Sequence, residues 1–114
     1  MPPVFPTPAN HYAWGLGCEG WHLLQDPALH VIQERVPPGQ SERRHRHGAA
    51  QQFFFILRGE AVLELDGAAH RLQAGEGLHV PPGRPHQFLN PTDAPVDFLV
   101  ISSPTTRGDR EDLD

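Results

Sequence analysis

The sequence predicts an all-β domain, a barrel or two-sheet sandwich, and three observations carry that prediction. Eleven glycines and thirteen prolines recur at short intervals, leaving little uninterrupted length for helices. Short runs with strand character lie between these breaks. No connection between the runs is long enough for the crossover helix that a parallel sheet requires.

In chain order the first expected strand is Leu29–Val36, closed by Pro37-Pro38-Gly39. Arg43–His47 and Gln52–Leu57 follow, and Arg58-Gly59 turns the chain into Glu60–Leu65. Asp66-Gly67 and Ala74-Gly75 bracket His70–Gln73, and Gly77–Val80 runs into Pro81-Pro82-Gly83. Gln87–Leu89 ends at Asn90-Pro91, and Val96–Ile101 is the last strand expected. Many short strands spaced by such turns read as an all-β sandwich or barrel.

The 114 residues allow one domain with one core. Residues 1–28 hold both tryptophans and the only tyrosine, Tyr12, and are expected to form an arm with aromatic anchors. Residues 29–102 form the barrel, and residues 103–114 are expected to be a loosely held polar tail. That tail contains Arg107-Gly108-Asp109, an integrin-type tripeptide, which without a secretion signal reads as coincidence.

The hydrophobic fraction is 38%, and no apolar run approaches the ~20 residues that span a bilayer. Cys18 is the only cysteine, so no intramolecular disulfide forms. The N-terminus lacks a basic segment followed by an apolar core, which makes the cytoplasm the expected compartment. A formal charge of -5 argues against nucleic-acid or anionic-membrane partners. All nine basic residues are arginine, and the absence of lysine excludes Schiff-base chemistry.

Alternation carries the reading of the site. His45 and His47 stand two apart on one expected strand, so both side chains leave the same face and together can chelate one metal ion. Arg46 between them must point the other way. His86 follows the rigid loop Pro81-Pro82-Gly83-Arg84-Pro85, which fixes the direction of one side chain.

With these residues in place the chain resembles the cupin superfamily. The first cupin motif reads Gly39, five residues, His45, His47, four residues, Gln52, six residues, Gly59. The second reads Gly75, Pro81, Gly83, His86 and Asn90, with every spacing met. The resemblance implies a double-stranded β-helix, or jelly roll, and a divalent metal on His45, His47 and His86. Cupins usually carry Glu where this chain has Gln52, and Gln52 is the expected fourth ligand through its amide oxygen. Gln51 fits the spacing to Gly59 less well. Three-His-plus-Gln sets occur in small cupins of uronate catabolism that open unsaturated sugar rings.

Three imidazoles and an amide oxygen suit Zn, Ni, Fe, Co or Mn, while Mg and Ca prefer carboxylates. A neutral fourth ligand leaves the full dipositive charge on the site, which favours Lewis-acid chemistry over redox cycling.

Arg43 shares the parity of His45 and His47. It either faces the cavity, where it could grip a substrate carboxylate, or lies in solvent at the mouth. Asp97 is a carboxylate in an apolar run, Val96 to Val100. It is either a catalytic acid or base with a shifted pKa, or marks the solvent face of its strand. If Gln52 points inward then Phe54 and Ile56 do too, and Phe53 and Phe55 face outward. Outward aromatics call for a cover, which points to a homodimer or to the tail. Substrate stacking by Phe54 or Phe88 is the functional alternative. His11, His22, His30, His70 and His79 have no spacing that joins the metal set. Cys18, in a glycine-rich segment, could cap the barrel mouth.

These readings converge on a metal-dependent enzyme of isomerase, ring-opening or lyase type, acting on a small polar or sugar-acid-like substrate. The alternatives are a non-enzymatic metal- or ligand-binding module and an iron dioxygenase. A DNA-bound regulator lacks both a helix-turn-helix segment and a basic surface.

Overall fold

Two antiparallel sheets face one another across a core of inward side chains, as the alternating pattern of the strands requires. The computed structural model describes residues 2–113. After a short 3-10 turn at Pro8–Asn10, eleven strands follow. They are β1 (His11–Trp14), β2 (Cys18–Gln25), β3 (His30–Val36), β4 (His45–His47), β5 (Gln51–Arg58) and β6 (Glu60–Leu65). Then come β7 (Ala68–Gln73), β8 (Gly77–Val80), β9 (His86–Leu89), β10 (Val96–Ser103) and β11 (Arg110–Asp112). The larger sheet runs β1-β2-β3-β10-β5-β8 and the smaller β11-β4-β9-β6-β7. All pairings are antiparallel: the all-β class expected from the turn spacing, and the jelly roll that the cupin resemblance implies, are the fold found.

The eight expected strands are present, two of them, Glu60–Leu65 and Gly77–Val80, with the expected ends. Three elements depart from expectation. The aromatic arm is a hairpin: β1 pairs with β2, and β2 continues the large sheet by pairing with β3. The C-terminal tail is not loosely held, because β11 pairs with β4 and Leu113 N–H donates to the Arg44 carbonyl. The strand expected to start at Arg43 starts at His45.

Side-chain parity follows the sequence. On β5, Gln52, Phe54 and Ile56 are buried, while Phe53 and Leu57 are about two-fifths exposed. Below the inward histidines, Phe54, Phe88 and Phe98 stack in one layer, with the Phe88 and Phe98 centroids 3.9 Å apart. Each such buried ring contributes about 2–3 kcal/mol by area. Val36, Ile56, Leu63 and Val96 close that core with no exposed surface.

Gly20, Gly59 and Gly77 all lie where another group approaches closely. A Cβ at Gly59, where φ is +88°, would lie 2.7 Å from the Pro95 carbonyl oxygen, so the β5–β6 turn can pass β10 only as glycine. A Cβ at Gly20 would lie 2.2 Å from the Tyr12 ring, so Tyr12 rests directly on the β2 backbone.

The motif residue Asn90 ties the chain where β9 ends. Its buried amide Nδ2 donates to the carbonyls of Val36, Pro37 and Ala94, and its Oδ1 accepts from the Thr92 N–H and hydroxyl. Asn90→Ala strands these groups and is expected to destabilise the fold by about 3 kcal/mol. A urea midpoint within error of wild type would show that these bonds are not needed.

Candidate metal centre

Strand pairing builds the site. β4 lies beside β9 with His45 and His86 as direct partners, and His47 follows two residues on along the same face. The His45 and His86 ring centroids are 4.4 Å apart, and those of His45 and His47 are 4.9 Å apart. One ligand atom from each of the three lies within 4.8 Å of the others. All three residues are buried. Gln52 reaches the same cavity from β5 in the opposite sheet.

The hydrogen bonds decide which ring nitrogen is available. His45 Nδ1 donates to the Arg43 carbonyl at 2.7 Å, and His86 Nδ1 donates to the Arg84 carbonyl at 3.0 Å. His47 Nδ1 is held at 2.7 Å by the Asp109 carboxylate. With Nδ1 protonated in each ring, each Nε2 carries a bare lone pair, the tautomer a metal requires. Burial holds all three pKa values down, that of His45 to about 3, so the imidazoles are neutral at ordinary pH.

Among the described residues, two buried side-chain polar atoms have no hydrogen-bond partner: His86 Nε2 and Gln52 Oε1. Gln52 Nε2 donates to the Ser102 hydroxyl at 3.1 Å, which directs the amide oxygen away from that bond. Unsatisfied buried groups cost about 1–3 kcal/mol each and call for an explanation. A soft-to-borderline divalent cation supplies one, since the orphaned atoms are the donors it would take, so the residues present fit the group.

The cavity that His45, His47 and Gln52 line has a volume of about 170 Å³, and its walls bring in residues that the motifs did not mark. Glu34 from β3 and Glu42 from the β3–β4 loop both line it. Tyr12 donates to Glu34 at 2.7 Å, and the Glu42 side chain approaches His45 Nε2 at 4.0 Å. Burial raises the pKa of both glutamates, to about 7 for Glu34 and about 8 for Glu42, and Glu34 adds to the rise at Glu42. Both carboxyls therefore hold their protons to higher pH than a solvated glutamate does. Glu34 was readable from β3, where it shares parity with Ile32 and with the buried Val36.

Arg110 also lines the cavity, and its Nε donates to Asp112 at 2.6 Å. Asp109 sits 62 residues from His47 in sequence, and its second oxygen accepts from the Ala49 and Ala50 N–H groups. Burial raises its pKa, but those bonds and His47 outweigh this and hold the carboxyl below its usual range.

The structure does not bring the two expected catalytic residues to the histidines. Asp97 shares parity with Leu99 and Ile101 on the outer face of β10, where Arg35 Nε donates to it at 2.6 Å. An ion pair on the outer face, not the cavity, accounts for its position. Arg43 is exposed, and its Nε reaches the Leu113 carbonyl at 3.5 Å, because β4 begins only at His45 and the parity argument does not extend back to it. Cys18 is buried but stands outside the ligand group, and His79 is exposed and bonded to Gln51.

Known proteins resemble this chain in both sequence and structure. The family model described as Cupin domain matches residues 32–102. A sugar phosphate isomerase of the cupin superfamily from Silicibacter pomeroyi is 32% identical, with a TM-score of 0.70 over 78% of this chain and 60% of its own. An RmlC-like cupin from Shewanella frigidimarina superposes with a TM-score of 0.80 over 90% of this chain and 92% of its own; at 22% identity it speaks for the fold alone. An oxalate-binding protein from Thermotoga maritima is 28% identical over 85 residues, 70% of each chain. The match spans 55% of the length of a further relative, from Methanocaldococcus jannaschii. With both histidine motifs in register and most of the barrel matched, the protein belongs to the cupin family.

Proposed function

We propose that the protein is a metal-dependent cupin enzyme that isomerises, ring-opens or eliminates from a small polar, sugar-acid-like substrate. One observation carries the reading: His45, His47 and Gln52, with His86 paired beside His45, share a cavity with two glutamates, Glu34 and Glu42, whose carboxyl pKa values burial raises. His45, His47, His86 and Gln52 would hold one divalent ion, of the Zn, Ni, Fe, Mn or Co group. Bound there, such an ion supplies Lewis acidity toward a carbonyl or hydroxyl oxygen.

The chain's own residues supply the rest. Glu34 and Glu42 line the cavity, and a carboxyl poised near neutral pH both takes and returns a proton, as isomerisation and elimination require. Tyr12 holds the Glu34 carboxylate by its 2.7 Å bond and so fixes which oxygen faces the cavity. Phe54 forms an apolar wall beside His86, with centroids 5.8 Å apart, and keeps bulk water from that side. On this reading the acid–base role belongs to Glu34 and Glu42 rather than to Asp97.

The isomerase at 32% identity supports the reaction class. A second reading, a non-enzymatic binding module, draws on the oxalate-binding relative and on a cavity small enough for a two-carbon dicarboxylate. Incubating the metal-loaded protein with a panel of uronates and hexose phosphates under NMR separates the two. Metal-dependent conversion of one compound supports the enzyme; oxalate binding with no conversion across the panel supports the module.

Three variants sharpen the test. His47→Ala is expected to abolish metal binding, and metal retained at one ion per chain would overturn the ligand set. Asp109→Asn, which leaves His47 in place but weakens its support, should lower metal affinity by about 10–100-fold. Glu34→Gln should keep the metal, as read by elemental analysis, and lose turnover by about 100-fold or more. Full turnover in that variant would exclude Glu34 as the proton carrier.

The outer face of the large sheet exposes Phe53 and Leu57 beside the half-buried Phe55, and a second copy of the chain is the proposed cover. Phe53→Asp is expected to shift the protein from dimer to monomer in sedimentation. A wild-type monomer at micromolar concentration would overturn this.

A further inference from the structure

A larger cavity, of about 660 Å³, adjoins the histidine cavity. Ile32 and Thr106 line both, so the two spaces meet across that pair. Ligand pockets for small molecules commonly measure about 300–1,000 Å³. The inner cavity alone, at about 170 Å³, falls below that range, whereas the two together lie within it.

The outer cavity is lined by His22, His30, Thr105, Thr106, Asp26 and Arg107, among others. Their hydrogen bonds leave donors free. His22 Nδ1 and His30 Nε2 lie 3.0 Å apart, and His30 Nδ1 lies 3.4 Å from the Thr105 hydroxyl. The Thr105 oxygen also accepts from the Arg107 N–H, so its own proton is available to His30. In the tautomer order Thr105 to His30 to His22, which these distances allow as they allow the reverse, His22 Nε2–H remains as a donor. Burial and the neighbouring His22 lower the pKa of His30, which keeps it neutral and able to act as both acceptor and donor. The Arg107 guanidinium has no bonding partner among the described residues. Asp26, the one carboxylate of the lining, is tied into its turn by the Ala28 N–H at 2.8 Å.

We propose that this outer cavity is the subsite for an anionic tail, phosphate or carboxylate, of a substrate whose head occupies the histidine cavity, with Arg107 and His22 as the residues that recognise the tail. The proposal rests on the metal-centre reading of the inner cavity. It narrows the substrate class from small polar molecules to acids that carry a second anionic group at the far end. A guanidinium and an imidazole N–H lining one cavity suit oxyanions, and charge-assisted bonds of this kind are the strong ones.

Cobalt-loaded protein tests it, with binding read from the visible spectrum. Two matched pairs serve as probes: glycerate with 3-phosphoglycerate, and gluconate with 6-phosphogluconate. At least one phosphorylated member is expected to bind about 10-fold or more tightly than its parent. Arg107→Gln, at an exposed position that folding does not depend on, is expected to erase that gain without changing the cobalt spectrum. A normal spectrum with no gain in either pair overturns the subsite and leaves the metal centre standing. A gain that survives Arg107→Gln but disappears in Arg110→Gln overturns the assignment to the outer cavity. Failure to form any cobalt complex strikes the metal-centre reading itself.

Discussion

The site depends on one constraint: three imidazoles must enter a buried cavity neutral and turned the same way. Each meets it by donating Nδ1–H to a fixed acceptor, the Arg43 carbonyl, the Arg84 carbonyl and the Asp109 carboxylate. Two of these acceptors are backbone atoms two residues before the histidine itself, so the turn leading into the strand sets the ring. Neutrality follows from burial, which makes the imidazolium form expensive. The aromatic layer of Phe54, Phe88 and Phe98 beneath supports these polar groups at such depth. Orphaned donors above are offset by well-packed rings below, and function and stability occupy adjacent layers of one barrel.

The carboxylate missing from the ligand set is not missing from the cavity. Gln52 is neutral where cupins usually carry Glu, yet Glu34 and Glu42 stand in the same walls. Moving the acids from the ligand positions to the walls changes what they can do. A ligating carboxylate would be held ionised, whereas burial raises the pKa of a carboxyl that stands in the wall. The exchange separates charge stabilisation from proton transfer, a division suited to moving protons on a substrate carbon.

Most of this architecture was legible in the sequence because period-two alternation and turn chemistry are local signals. The motif spacings located His45, His47, His86 and Gln52, and the parity of β5 sorted Phe54 from Phe53. What escaped was non-local or two-sided. Asp109 reaches His47 across 62 positions, and no spacing rule links them. β11 is three exposed residues whose pairing depends wholly on where β4 already lies. Asp97 misled because β10 is apolar on both faces, so its apolar neighbours did not show which side it faced. Glu34 was the readable omission, since its parity with Ile32 already aimed it inward.

The segment from Thr105 to Asp112 joins these threads. Thr105 closes the imidazole relay of the outer cavity, Thr106 separates the two spaces, Asp109 orients a histidine, and Arg110 lines the inner wall. Its anchorage is unequal. Asp109 is held by His47 and two backbone N–H groups, while β11 is exposed along its whole length and pairs only with the short β4. Local stability tracks burial and backbone pairing, so this strap belongs to the least protected part of the fold. Of the three histidines, only His47 takes its orientation from it, since His45 and His86 are set by their own turns. The cluster therefore has two imidazoles oriented by local geometry and one whose alignment is coupled, through a single carboxylate, to the wall of the outer cavity.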